Sequence, residues 1–366
     1  MRVLIAPQEF KGSLSAEEAA TAIARGFAAA RPGWVLDVLP MSDGGPGFID
    51  ALRRAVRADT RALAVHDALG RKVLARYISI PGTNVAVVEA AQANGLMHVH
   101  SAELDPLRAD TAGVGELIAA ALGEQPSRLI VGVGGSATTD GGAGMARALG
   151  ARFTDMAGRP LDPGGAPLAD LARIDWRRPE TLTGVEVVVA TDVTNPLVGP
   201  FGAAAVYAPQ KGATPEQVDL LEAALVRYAA VVRRSLGVDI ADLPGGGAAG
   251  GLAAGLVAFL GARIVSGFDI VAEATGLRGR LAAADLVVTG EGSFDSQSLQ
   301  GKTTGRLVQL AESAGKRWVV LAGRSSIEGE SVHTLNDLES DPSLAMANAN
   351  ELLAALAERW AAGLTP

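Results

Sequence analysis

Leu129-Ile130-Val131-Gly132-Val133 runs directly into Gly134-Gly135-Ser136-Ala137-Thr138-Thr139-Asp140-Gly141-Gly142, and the small residues of 143–149 follow. The first five residues form an apolar run of strand length, and the last segment has the composition of a helix. A strand that turns through glycines and hydroxyls into a helix is the unit of an open α/β sheet. It aims backbone N–H groups at one spot on the carboxyl edge of that sheet, where oriented amides suit a phosphate or carboxylate. Folding alone does not ask for four glycines, three hydroxyls and an acid in nine residues. The run 134–142 therefore reads as an anion-binding loop, with Gly134, Gly135, Ser136, Thr138 and Thr139 facing the anion. Asp140 adds an acceptor for a hydroxyl or a divalent ion.

The same alternation of strand and helix marks both ends of the chain. A strand over 2–6 precedes a helix opened by the capping box Ser15-x-x-Glu18 and running to about residue 30. A strand over 35–39, the loop Ser42-Asp43-Gly44-Gly45 and a helix over 48–58 follow. Toward the C-terminus come a strand at 285–289, a helix at 305–314, a strand at 318–322 and a helix at 348–362. This pattern predicts a parallel sheet covered by helices on both faces. The middle differs: 63–65, 71–80 and 85–89 read as consecutive antiparallel strands, and further α/β material fills 129–270, including a long helix at 215–236. The expectation is two α/β domains. Residues 1–60 and 275–366 make a mainly parallel, doubly wound domain of Rossmann or flavodoxin type, and 61–274 form an inserted mixed-sheet domain carrying the 134–142 loop. The apolar stretch 248–264 contains four glycines. It reads as a buried glycine-rich helix, because a membrane span needs roughly twenty mainly apolar residues.

Composition narrows the function. The chain has 366 residues and a formal net charge of −8, which argues against nucleic acid, whose phosphates need clustered Lys and Arg. It holds no cysteine, excluding thiolate catalysis and Cys-based zinc sites. No basic-then-apolar leader opens it, so the expectation is a cytoplasmic protein with small-molecule substrates and no membrane partner, monomeric or homodimeric. His98 and His100 alternate on a short stretch read as extended, and two such ligands do not define a metal site.

Several polar clusters follow predicted strands. Gln8-Glu9-Phe10-Lys11-Gly12-Ser13 offers a lysine and a hydroxyl near a helix N-terminus. Asp43 either caps the next helix or accepts from a ligand. Asp192-Val193-Thr194-Asn195-Pro196 places an acid and a carboxamide on one turn, as a substrate-hydroxyl site or an Asx turn. Gly290-Glu291-Gly292-Ser293-Phe294-Asp295 sets two carboxylates where Mg²⁺ can be held. Pro209-Gln210-Lys211-Gly212 puts a lysine before the helix cap Thr214. Gly301-Lys302-Thr303-Thr304 has a Walker A ending, but Ser296 stands where that motif needs glycine. Two dinucleotide fingerprints compete: Gly245 to Gly250 fits G-x-G-x-x-G without a preceding strand, and Gly132 to Ala137 fits G-x-G-x-x-A with Asp155 near the expected acid position.

Together these loops resemble the type I glycerate kinases. The resemblance runs from Ile5-Ala6-Pro7 and Phe10-Lys11-Gly12-Ser13-Leu14-Ser15 through Pro40-Met41-Ser42-Asp43-Gly44-Gly45 and 134–142. It continues in Asp192-Val193-Thr194-Asn195-Pro196-Leu197, Pro209-Gln210-Lys211-Gly212-Ala213, Ala248-Ala249-Gly250-Gly251-Leu252, Gly290-Glu291-Gly292 and Asp295-Ser296-Gln297. It implies phosphorylation of D-glycerate by ATP with Mg²⁺, usually to 2-phosphoglycerate rather than 3-phosphoglycerate. It further implies two α/β domains, one interrupting the other, with the active site in the cleft between them. On that basis Lys11 and Lys211 neutralise phosphates or the glycerate carboxylate, and the 134–139 loop, Ser13 and Gly290 contact anions. Asp192, with Asn195 beside it, orients the attacking hydroxyl and takes its proton. Asp43, Glu291 and Asp295 are the candidate metal shell. The chain departs from the family at Gln8, Glu9, Pro46 and Phe48, and Ser293 stands where an arginine is often found in a Glu-Gly-Arg run. Besides a glycerate kinase, three other readings stay open: a kinase of a related hydroxy acid; a non-catalytic ligand sensor, motivated by Gln8 and Pro46; and a nicotinamide dehydrogenase, resting on Gly132 to Ala137 and Asp155 alone.

Overall fold

A computed structural model describes residues 1–299 and 302–364, so Gly301 of the lysine–threonine run lies outside the described residues. By internal contacts the chain divides into two compact units. Met1–Asp43, Asp50–Val56 and Phe268–Pro366 form the first, and Gly44–Ile49 with Arg57–Gly267 the second.

The first unit holds a five-stranded sheet in the order Val332–Thr334, Arg317–Ala322, Leu286–Thr289, Arg2–Ile5, Val35–Val38, with every neighbouring pair parallel. Val3, Leu4, Ile5, Leu286, Val287 and Val288 are all buried. Successive buried residues, with no polar alternation, are what helices on both faces require. The helix Ala16–Ala30 starts at the expected capping box, with Ser15 and Glu18 each satisfying the other's backbone N–H. Its Ile23 and Phe27 share a core with Val3 and Ile5 and with Leu353 and Leu356 of the helix Ala349–Ala362.

The second unit is built on a six-stranded sheet in the order Arg263–Val265, Glu186–Ala190, Arg128–Gly132, Val85–Glu89, Lys72–Ile80, Asp59–His66. Its first four strands run parallel, and the last two join antiparallel. The long helix Pro215–Leu236 occupies the predicted span, opened by a capping box of Thr214 and Gln217.

Three local expectations change. The strand predicted at 63–65 extends over Asp59–His66, because its exposed first residues pair with 76–79 across the ladder. His98 and His100 lie in and beside the short 3₁₀ turns Leu96–His98 and Ser101–Glu103, not on an extended stretch. The stretch 248–264 is not one helix: a glycine turn precedes the helix Leu252–Leu260, and the strand Arg263–Val265 follows. Gly250 explains the break. Its φ is +66°, and a Cβ there would lie 1.9 Å from the Thr138 carbonyl oxygen. Only glycine tolerates both conditions. Among the described residues, no helix is long and apolar enough to cross a membrane.

Candidate functional site

Four strand ends line up in the second unit. Glu89 is in register with Gly132, Gly132 with Ala190, and Ala190 with Val265. The chain leaves this row through the loops that bear Gly134, Gly135, Asp192 and Asn195. Gly44 presses on the same row with φ +98°, and a Cβ on it would lie 2.2 Å from the Ala190 carbonyl oxygen. Gly45 packs against Gly134, and Pro46 against Gly135. The Gly44-Gly45-Pro46 run and the glycine loop, distant in sequence, thus meet. Glu89 holds them in place: nearly fully buried, it accepts from Gly47 N–H at 3.3 Å and Ile49 N–H at 3.0 Å. These amides open the helix Phe48–Ala55, where an acid satisfies free N–H groups and the helix dipole together. Sequence reasoning passed over Glu89; its signal is an acid ending an otherwise apolar strand.

The 134–142 loop has two faces. Gly135 is exposed and Gly134 half-buried, whereas Ser136, Thr138, Thr139 and Asp140 are buried. Asp140 is fully enclosed. Its Oδ2 accepts from Thr111 N–H at 3.0 Å, the Thr111 hydroxyl at 2.8 Å and Gly144 N–H at 2.9 Å, and its Oδ1 accepts from Gly142 N–H at 3.1 Å. Four donors occupy this carboxylate, so in place of the expected ligand acceptor it organises the start of the helix Ala143–Ala148. Lys211 also differs from expectation. Its side chain is buried, and Nζ donates to the Thr138 carbonyl at 2.5 Å and the Ser136 hydroxyl at 3.3 Å. Burial pulls its pKa down to about 7, with Asp140 acting in the opposite sense. Asn94 completes the inner brace by donating from Nδ2 to the Thr138 hydroxyl at 3.0 Å.

Asp192 is half-buried on the turn after Glu186–Ala190. Asn195 has both ends of its carboxamide engaged: Nδ2 donates to the Phe201 carbonyl at 2.8 Å, and Oδ1 accepts from the Tyr207 hydroxyl at 2.7 Å. It braces the turn that presents Asp192.

In the first unit, the carboxyl edge of the parallel sheet gathers a second set. Gln8 N–H donates to Gly290 O at 2.8 Å, Gly323 N–H to Glu291 O at 3.0 Å, and Arg324 N–H to Gly292 O at 3.1 Å. These bonds tie together the loops after three strands. Lys11 is exposed and its backbone lies against Gly292, while the Ser13 hydroxyl donates back to Phe10 O at 3.1 Å. Glu291 is only 8% exposed, and its Oε1 has no partner among the described residues. Burial raises its pKa, against hydrogen bonds from Ser298 and Thr304 and the charge of Lys302. Asp295 lies close enough to add a repulsive contribution, and its Oδ1 accepts from Ser298 N–H at 3.1 Å. A buried carboxylate oxygen lacking a partner, with a second acid nearby, is a hard-oxygen donor pair of the kind Mg²⁺ takes. Among the described residues, no group of three or more His, Asp or Glu side chains could hold a metal ion by itself. The structure thus gathers Lys11, Gly290, Glu291 and Asp295 on one edge, and Gly44, Gly134, Gly135 and Asp192 on another.

Both dinucleotide fingerprints dissolve on inspection. The 245–250 run is a packing device: Gly250 O accepts from Gly141 N–H at 3.0 Å, and its Cα fills the space beside Thr138. Asp155 is consumed by its own turn, accepting from Ala157 N–H, Arg159 N–H and Arg159 Nε between 2.8 and 2.9 Å. A ribose-binding acid needs a free carboxylate, so nothing supports the dehydrogenase reading.

Comparison with known proteins agrees with the loops. The model of the glycerate kinase family matches residues 3–365. A glycerate kinase of Bacillus subtilis is 43% identical over 334 residues, covering 91% of this chain and 87% of the relative. A glycerate 2-kinase of Escherichia coli is 41% identical, covering 91% and 88%. A crystal structure of a chain described as glycerate kinase 2 from Salmonella typhimurium LT2 is 42% identical. It superposes with a TM-score of 0.77 over 99% of this chain and 97% of that one. The chain belongs to the glycerate kinase family.

Proposed function

We propose that this protein transfers the γ-phosphoryl group of ATP to a hydroxyl of D-glycerate, with 2-phosphoglycerate as product. The observation that carries the reading is family similarity along the whole chain, residues 3–365, with the family's loops at the carboxyl edges of both sheets. Phosphoryl transfer asks a protein for positioning and charge neutralisation more than for covalent chemistry. In this proposal Asp192 orients the attacking hydroxyl and accepts its proton, held by the turn that Asn195 braces. Lys11 and Ser13 meet an anionic oxygen, and the N–H groups of Gly134 and Gly135 cradle another. Gly290 lets backbone approach the ligand. Ser136, Thr138, Thr139 and Asp140 act from behind, as the frame of that cradle. Mg²⁺, held by Glu291 and Asp295 with Asp43 as a further donor, would neutralise phosphate charge.

The test is direct. Purified protein incubated with ATP, Mg²⁺ and D-glycerate should release ADP in step with one phosphoglycerate isomer, resolved by chromatography against both standards. ADP release independent of glycerate, or none at all, refutes the reading. Asp192→Asn should lower kcat by about 10²-fold or more, the usual worth of a general base, with an unchanged melting temperature. Wild-type kinetics in that variant would remove Asp192 from the role.

A further inference from the structure

Glu89 is a buried acid on the strand-end row of the second unit that the proposed chemistry leaves unused. It is 2% exposed, and both carboxylate oxygens are engaged by the protein itself. Oε1 accepts from Gly47 N–H and from Gln92 Nε2, each at 3.3 Å, and Oε2 accepts from Ile49 N–H at 3.0 Å. These three groups are all donors. A carboxylate satisfies them, whereas a carboxamide of the same shape must turn its NH₂ toward one of them.

The segment that Glu89 fastens lies across the neighbouring strand ends without slack. A Cβ on Gly132 would meet the Phe48 ring at 2.6 Å and Gly44 O at 2.8 Å. Gly44 in turn faces Ala190 O, and a Cβ on Gly134 or Gly135 would stand 2.7 Å from Gly45 Cα or Pro46 Cγ respectively. Val133 N–H donates to Ala190 O at 3.1 Å, so the two loops beneath the segment are also tied to each other. Asp192 follows Ala190 by two residues. Close-packed groups transmit displacement, so a shift of 44–48 carries both the Gly134–Gly135 amides and the Asp192 turn with it.

We propose that Glu89 is a positioning residue for phosphoryl transfer: by fixing 44–48 over the strand ends, one carboxylate sets the place of both the Gly134–Gly135 amides and Asp192. This inference rests on the kinase reading for the roles of those groups, while part of its test does not depend on turnover. Were Glu89 only a cap on the helix Phe48–Ala55, its loss would lower the melting temperature and leave the kcat of the folded enzyme where it was.

The experiment compares wild type, Glu89→Gln, Asp192→Asn and the double variant by steady-state kinetics with ATP–Mg²⁺ and D-glycerate, and by amide hydrogen exchange of the unliganded proteins. Glu89→Gln should lower kcat by about 10²-fold, the cost of a misplacement of about 1 Å, while both KM values stay within about 3-fold. In the Asp192→Asn background the same substitution should cost about 10-fold or less, because residues that act through one another are not additive. Exchange should quicken across 133–135 and 190–193. If Glu89→Gln does not fold, Glu89→Asp, which keeps the charge and shortens the side chain by one methylene, takes its place and should show a smaller loss of kcat. Wild-type kcat in a folded variant overturns the proposal, and so do equal losses in the two backgrounds. A wild type without glycerate-dependent ADP release refutes the kinase reading, and exchange then judges Glu89 alone: faster exchange at both loops upholds the placement, and unchanged exchange overturns it.

Discussion

Lys211→Met isolates the cost of a buried ammonium. The side chain is enclosed, it donates to Thr138 O and the Ser136 hydroxyl, and its pKa falls from 10.5 to about 7. Asp140 faces it as the compensating charge, and Tyr228, also fully buried, feels the same carboxylate. The sign follows from linkage. Above pH 10.5 the lysine is neutral in both folded and unfolded chains. As pH falls below that value the unfolded chain gains a proton that the folded chain refuses. Stability is therefore lost progressively down to about pH 7 and stays level below it. The full span is about 5 kcal/mol at 1.36 kcal/mol per pKa unit, and the part between about pH 7 and pH 9 is about 2 kcal/mol. Urea unfolding of wild type and Lys211→Met at about pH 7, 8 and 9 measures it. Wild type should gain about 2 kcal/mol on the variant across that range. Parallel curves, or a gap that moves the other way, would show that the ammonium is not desolvated as described.

Asp140→Ala removes the acceptor for three backbone N–H groups and one hydroxyl in a dry site, and should cost about 3–5 kcal/mol in chemical denaturation. A loss below about 1 kcal/mol would mean that those donors find other partners. Glu291→Gln tests a trade of stability for function. Because burial raises the Glu291 pKa, its carboxylate penalises the folded state above that raised value, and the penalty vanishes as pH falls toward 4.5. The glutamine variant should melt higher than wild type at neutral pH, converge with it near pH 4.5, and lose glycerate-dependent ADP release. Equal melting temperatures at neutral pH would contradict the assigned desolvation.

Much of the architecture was legible because it rests on local chemistry. The Ser15–Glu18 box and the Thr214 cap start helices within their own first turns, and unbroken apolar runs such as Val3 to Ile5 announce strands covered on both faces. What failed to show depends on partners distant in sequence. The strand Asp59–His66 is polar at its start and is drawn into the sheet by the strand opposite it. The glycines at 245–251 looked helical or nucleotide-binding because nothing nearby in sequence reveals the Thr138 carbonyl pressed against Gly250. The candidate site residues can be picked out loop by loop from the sequence, but what their side chains bond to cannot. Asp140, Lys211 and Asn195 have the side chains of ligand-binding groups, yet their oxygens and nitrogens are spent on the loops themselves.

The parallel sheet of the first unit has a consequence for how the protein is made. Arg2–Ile5, made long before Leu286–Thr289, sits between that strand and Val35–Val38. The helix that covers it packs on Ala349–Ala362, which is made later still. The segment Arg57–Gly267 is continuous and is complete before either. At a ribosome pace of roughly 5–20 residues per second, the opening strand waits many seconds with one edge unpaired while the middle of the chain folds. Its brevity, four residues with an arginine at the start, limits what it can recruit in the meantime.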